Sequence, residues 1–440
     1  MRNRLSTVLL DRILHKGPAA TPERSQGPVR RATILTVSSR RVDQQGLPVV
    51  TRRGFLGSTL AGSAGLVSLP QIALASRAAE SECPNPFEGG RLLATLPLSG
   101  LGAVDHPLET MLGQGLDARL ATDLSTLTAD TLVIPNQRFF VRSDAPAALD
   151  ARTQWMIRVN GLVRQPFALE LASLVPFVVP MGTHLIECAG NNNPANFGLM
   201  STATWAGIPL ARVLEQAHPL PRATRVLVSG LDPEPGRSRS SLPGASWIFS
   251  LGEIERWRPF LATEMNGVPL PRLHGAPVRL VVPRWFGCAS IKWVTEIQFV
   301  DDSVQATAHM KEFARRTLQD GIPEQASDFK PAAIDQAAMP VRVEKWLVAG
   351  RVSYCVVGVM WGGERVTDAL LIGFGRDDNY APVRVCPKPT TNDTWTLWSY
   401  RWQPAAPGRY TIALRVGDAK VATRRLDLYY YIREVRVDEV

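Results

Sequence analysis

The stretch from His184 to Asn193, "HLIECAGNNN", sets one cysteine between an apolar run and three consecutive asparagines. A thiol in that position has few chemistries open to it. As a nucleophile it needs a base, and His184 is the only histidine nearby. As a zinc ligand it needs further Cys or His at ligand spacing, which are absent. As a single thiolate it can bind a soft or high-valent metal held mainly by something other than the protein. The inert alternative is a buried free thiol. The chain has five cysteines, Cys83, Cys188, Cys288, Cys355 and Cys386. They are too few for a disulfide scaffold and form no CxxC pair, and their odd number leaves at least one thiol free in an oxidising compartment, unless two chains are linked. No glycine-rich phosphate loop and no repeat is visible.

The elements that must position this cysteine read as mixed α and β. "WMIRVNGLV" alternates and ends near a turn, which predicts a strand; "TRVLVSG", "APVRLVVP" and "IKWVTEIQFV" predict more. "WAGIPLARVLEQA" predicts an amphipathic helix with Pro209 at its first position and Leu210, Val213, Leu214 and Ala217 on one face. Asp320 to Pro340 is Pro- and Ala-rich and reads as a linker. Beyond it, "VSYCVVGVMW", "DALLIGFG", "WTLWSYRWQP", "GRYTIALRV" and "LDLYYYIREV" predict short strands of an antiparallel sandwich. Trp398, Tyr400 and Trp402 share one face there, as an aromatic core requires. The predicted organisation is α+β: a leader over 1–75, a mixed domain over 76–325 that holds Cys188 and a β-sandwich over 335–440.

The leader is read from "TRRGFLGSTLAGSAGLVSLPQIALAS", with Arg52 and Arg53 before a small-residue apolar stretch and Ala73-Leu74-Ala75 as a signal-peptidase pattern. Its Leu56–Leu69 run is too short and too rich in Gly and Ser to span a bilayer well. This arrangement resembles a twin-arginine signal, which exports folded proteins to the bacterial periplasm through the twin-arginine machinery. Residues 1–50 are long for such a leader; a disordered extension or a true start near Val49 or Val50 are both open. Residues 1–75 hold eleven Lys+Arg against three Asp+Glu, which is +8 of the chain's +9. The basic character therefore belongs to the leader and makes no case for nucleic-acid binding.

"ECAGN", "STATWAGIPLARVL" and "EMNGVPLPRLHGAPVRLVVPRWFGCASIKWVTEIQFVD", in this order and at this spacing, closely resemble the sulfite-oxidase family of molybdopterin enzymes. The resemblance covers most of Thr131–Asp302. It continues more weakly through "WGGERV" and "WSYRWQPAAPGRYTI", which are similar to the family's immunoglobulin-like dimerisation domain. It implies a molybdenum–molybdopterin cofactor and oxygen-atom transfer, with sulfite the default substrate. No haem is expected in this chain, because nothing matches the family's separate haem domain. The resemblance makes Cys188 the molybdenum ligand, with the pterin supplying two dithiolene sulfurs. It puts Arg142, with Phe140 and Val141, near the metal. It makes Asp232 an acceptor from the pterin, His274 and Arg279 phosphate and pterin contacts, and Ser290, Ile291 and Lys292 the closing loop.

This sequence departs from the family around the substrate. Asn192 and Asn193 stand where an arginine is usual, Asp144 replaces a histidine, and Val304 or Gln305 falls where the family presents a tyrosine. Asn192 and Asn193, with Arg142, are then the candidate substrate contacts. The alternatives are an S-oxide or N-oxide reductase with the same metal centre, and a cofactor-free binding or assembly protein that kept the fold. The expected redox partner is a separate c-type cytochrome for an oxidase and a quinol-linked membrane partner for a reductase. A homodimer through the C-terminal domain is also implied.

Overall fold

The computed structural model describes residues 43, 46–50, 85–100, 107–149, 154–193, 197–231, 244–317 (backbone only from 314), 332–375 and 379–440. Arg52, Arg53, the Ala73–Ala75 pattern and Asp232 lie outside the described residues.

Strands dominate. A six-stranded mixed sheet runs in the order Val49–Val50, Phe167–Glu170, Met156–Gly161, Val294–Val300, Arg225–Gly230 and Ser246–Ser250. A second sheet orders Val268–Pro269, Phe260–Met265, Met200–Pro209 and Val179–Glu187, with Arg279–Val281 paired to Phe260–Met265. The strands predicted around "WMIRVNGLV", "TRVLVSG", "APVRLVVP" and "IKWVTEIQFV" are all present. Three of them carry alternating buried β-branched or apolar residues, while Arg279–Val281 is buried throughout, and their buried apolar residues join one continuous core. No helix of the described residues is long and apolar enough to cross a membrane.

The helical content is smaller than the sequence suggests. "WAGIPLARVLEQA" forms a helix only over Leu210–Leu214: it starts as expected after Pro209, the last residue of strand Met200–Pro209, and ends short of His218, whose φ is 46°. Pro209 suits that boundary, having no N–H to contribute to either ladder. The other α-helices among the described residues are Leu171–Leu174, Leu251–Trp257 and Ala308–Thr317.

The C-terminal part holds two antiparallel sheets. One orders Arg384–Val385, Thr396–Trp402, Arg351–Trp361, Ala337–Val348 and Arg91–Leu96; the other orders Tyr380–Pro382, Leu370–Phe374, Gly408–Val416, Arg433–Val437 and Ser99–Gly100. They face each other through Trp402, which stacks on Phe374 at 4.4 Å and meets Tyr410 edge-on at 4.9 Å.

Four sequence expectations shift here. Ala337–Pro340, placed in a linker, begin a long strand; Pro340 is accommodated at a register shift beside Arg342. Arg91–Leu96 and Ser99–Gly100, placed with the first domain, pair with the C-terminal sheets instead. "LDLYYYIREV" is a strand only from Arg433, and Tyr430 and Tyr431 turn inward as a buried aromatic pair. Val49–Val50, upstream of the expected cleavage point, pair in parallel with Phe167–Glu170.

Candidate functional site

Strand Val179–Glu187 delivers Cys188 to the wall of a cavity. It pairs antiparallel with Met200–Pro209, His184 opposite Ala203 and Glu187 opposite Met200. The chain then leaves the strand, and the Cys188 N–H donates to Leu199 O at 2.8 Å. The thiol is 5% exposed, and its sulfur accepts the Gly190 N–H at 3.3 Å. Gly287 packs against this strand so closely that a Cβ there would sit 2.9 Å from Ile186 Cγ2. Only glycine allows that approach, which brings the "GCAS" turn onto the cysteine.

The cavity is lined by Phe140, Val141, Arg142, Cys188, His274, Arg279, Ser290, Ile291 and Lys292, with Cys288, His309 and Phe313 among the others. Every described residue expected to hold the cofactor therefore meets at one place, although these residues span about 150 positions of sequence.

The electrostatics of this cavity are one-sided. Arg142, Arg279 and Lys292 line it, and no described lining residue is a carboxylate. Arg279 donates to His274 O at 3.0 Å and Ser290 O at 3.1 Å, while its buried Nε has no partner. Burial lowers its ionisation to about 9. Arg142 donates to Leu116 O at 2.8 Å. Lys292 donates to Ser143 O at 2.7 Å and Leu273 O at 3.1 Å, and lies 4.2 Å from the centre of the Trp293 ring. His274 is bonded through Nε2 to Asn136 O at 2.8 Å. Burial, helped by the charges of Arg279 and Lys292, lowers it to about 4, so it is neutral at pH 7. Ser290 Oγ accepts from Val282 N–H and fixes the loop.

A buried guanidinium without a counter-anion is costly. It is compensated if a phosphate or another anion enters, since guanidinium and phosphate match in charge and donor geometry. The thiol lies in the same cavity. No group of three or more Cys, His, Asp or Glu among the described residues could bind a metal on its own. One thiolate plus a cationic, carboxylate-free cavity suits a metal whose remaining ligands come from an anionic organic cofactor.

Some candidates stand elsewhere. His184 does not reach the thiol: its Nε2 bonds Met181 O at 2.7 Å and its ring packs on Phe260. Asn192 and Asn193 are exposed and are not part of the described cavity wall. Asp144 is also outside that wall, its carboxylate accepting the Ala145 N–H. Val304 and Gln305 are exposed. Helix Ala308–Thr317 follows them, and its His309 and Phe313 reach the cavity instead. Sequence reasoning missed both. His309 Nδ1 sits on the Ser246 backbone, and its other ring nitrogen has no hydrogen-bond partner among the described residues. Its position one turn before Phe313 on the helix was the available signal.

Comparisons with known proteins agree with this geometry. Residues 143–308 match the family model described as "Oxidoreductase molybdopterin binding domain". The chain is 27% identical to sulfite oxidase of Gallus gallus over 308 residues, covering 62% of this chain and 63% of that protein. It is 33% identical to mitochondrial sulfite oxidase of Rattus norvegicus over 214 residues, 45% of this chain but 37% of the relative. The protein-methionine-sulfoxide reductase catalytic subunit MsrP of Xanthomonas campestris is 32% identical over 163 residues, 35% of this chain and 48% of that protein. The chain thus spans less than two thirds of the length of these curated relatives. The crystal structure of the sulfane dehydrogenase SoxCD from Paracoccus pantotrophus shares the fold, with a TM-score of 0.56 at 17% identity, over 86% of this chain and all of that one. The chain is thus similar to the sulfite-oxidase type of molybdopterin-dependent oxidoreductases, and these matches support a molybdenum–molybdopterin cofactor.

Proposed function

We propose that this protein transfers an oxygen atom to or from a small sulfur compound, with sulfite the default substrate. The observation that carries this is the meeting of Cys188 with the un-neutralised Arg279 in one carboxylate-free cavity. When bound, the molybdenum–molybdopterin supplies the two-electron oxygen exchange. Cys188 would hold the metal. Arg279, Lys292 and His274 would hold the anionic part of the cofactor, and Phe140, Val141, Ser290 and Ile291 would shape its seat. Arg142 would orient an anionic substrate, and the neutral His309 offers a hydrogen bond without charge. Cys188, His274 and Arg279 are buried, which strengthens their polar contacts.

Oxidation of sulfite takes an oxygen from water and releases two protons and two electrons. The electrons require a separate protein; a c-type cytochrome is proposed. A reductase acting on S-oxides or N-oxides, fed by a quinol-linked membrane partner, is the second reading. The exposed Asn192 and Asn193 favour it, because neither adds charge near the metal, and one relative is named a methionine-sulfoxide reductase. A cofactor-free assembly protein is the third, opposed by the retained cysteine and cations. We also propose export to the periplasm through the Arg52–Arg53 signal, and an immunoglobulin-like dimerisation domain formed by the two facing C-terminal sheets.

Elemental and mass analysis of the purified protein should find molybdenum and pterin; their absence from protein made in a competent host leaves the assembly reading. Turnover is then assayed with sulfite and with methionine sulfoxide. Cys188→Ser replaces a soft thiolate with a poor alkoxide ligand, so turnover should collapse while the fold survives. Wild-type turnover in metal-loaded Cys188→Ser sinks the ligand assignment. For export, cells carrying Arg52→Lys with Arg53→Lys should retain the protein in the cytoplasm on fractionation.

A further inference from the structure

Glu187, the residue before Cys188, has a fully buried carboxylate. Its partner comes from far along the chain. Arg424 forks onto it, Nη1 to Oε1 at 2.8 Å and Nη2 to Oε2 at 2.5 Å. Trp361 Nε1 donates to Oε2 at 2.8 Å, and Asn191 Nδ2 lies 3.4 Å from Oε1. Arg424 also donates to the Tyr431 hydroxyl at 2.8 Å, and its guanidinium lies 4.9 Å from the Phe286 ring centre. Its backbone N–H is bonded to Gln336 O, and Gln336 bonds Trp361 O in turn. Asn191 Oδ1 accepts from Gly198 and Leu199 N–H, and Leu199 O accepts from Cys188 N–H.

We propose that Arg424 is a positioning residue for Cys188, making the C-terminal part of the molecule a component of the metal site. The proposal rests on the reading of Cys188 as the metal ligand. In extended chain, neighbouring side chains point to opposite faces. Ile186 and Cys188 face the cavity, while Glu187 faces Arg424. Fixing the carboxylate on two forked bonds fixes the peptide between Glu187 and Cys188, and hence the direction of the thiol. Asn191 extends the same restraint across the loop that follows. A ligand held this way keeps its aim to a fraction of an ångström, which metal and catalytic sites require. A staple that merely joined the two halves need not end on the residue beside the cysteine.

Cys288 lines the same cavity and gives an internal reference. The full chain is prepared with and without cofactor. Iodoacetamide labelling of each thiol is followed by peptide mass spectrometry, and the loaded protein is examined by molybdenum electron paramagnetic resonance. In the cofactor-free chain, Arg424→Lys and the double variant Glu187→Leu with Arg424→Met should raise the Cys188 to Cys288 labelling ratio at least tenfold. Tyr431→Phe, which removes one bond from Arg424, should raise it a few fold. The loaded variants should show a shifted or multiple molybdenum signal. Both thiols accelerating together, or neither, with an unchanged single signal, overturns the proposal and leaves a plain staple. If the double variant does not fold, Arg424→Lys and Tyr431→Phe decide. Loaded wild-type protein should protect Cys188 and not Cys288; labelling of Cys188 there refutes the ligand assignment itself, and the proposal with it.

Discussion

Arg279 and Arg424 are both fully buried guanidiniums, and they have opposite surroundings. Arg424 has a forked carboxylate, a tyrosine hydroxyl and aromatic faces around it. Burial alone would lower it, yet Glu187 and Tyr431 carry it above its usual value. Arg279 has two backbone carbonyls and the Trp205 ring around it but no carboxylate bonded to it, and burial takes it down to about 9. The same side chain thus serves two purposes. Where the protein supplies the anion, the arginine builds the frame. Where the protein withholds it, the arginine waits for a ligand.

The contrast breaks most visibly in stability. Arg424→Met leaves a buried carboxylate unpaired and should cost about 3–5 kcal/mol in denaturant titration of the cofactor-free chain. Arg279→Met removes an uncompensated charge and should change stability in the opposite direction, by roughly 1–4 kcal/mol, while cofactor retention is lost. If both variants destabilise alike, the distinction between frame and ligand site fails.

Acid should act next. His274 and His309 each ionise near 4 in the folded chain against the usual 6.5, chiefly because of burial. Between those values the unfolded chain binds more protons, so stability falls as pH drops from 6.5 toward 4, by ~3 kcal/mol per histidine at most. Arg279 titrates near 9 and adds no slope there. The gap between His309→Phe and wild type should therefore move in the variant's favour across that window. A pH-independent gap would mean that His309 is solvated.

The smallest effect concerns the asparagines. Because Asn192 and Asn193 are exposed, Asn193→Arg adds a screened charge worth about 0.2–1 kcal/mol. The expected drop in sulfite KM is within about fivefold, read by steady-state kinetics with ferricyanide. A drop of a hundredfold would place that side chain in the substrate pocket.

Much of the site was legible in the sequence. The family resemblance pointed to Cys188, Arg142, His274, Arg279 and the Ser290–Lys292 loop, and the fold brings these residues to one cavity. Strands also announced themselves, since alternation is a local property. The rest was decided by contacts between distant segments. The expected helix starts where the sequence puts it but stops at Leu214, because the chain beyond turns at His218 to bridge Pro219 with Val163. His309 enters the cavity only because its helix folds back over Ser246. That Asn192 and Val304 are exposed could not be read along the chain. Above all, Glu187 and Arg424 lie 237 residues apart. Read along the chain they are two ordinary charges. What makes them a clamp, and leaves Arg279 without one, is which buried groups the tertiary fold sets face to face, since a buried charge takes its meaning from what neutralises it.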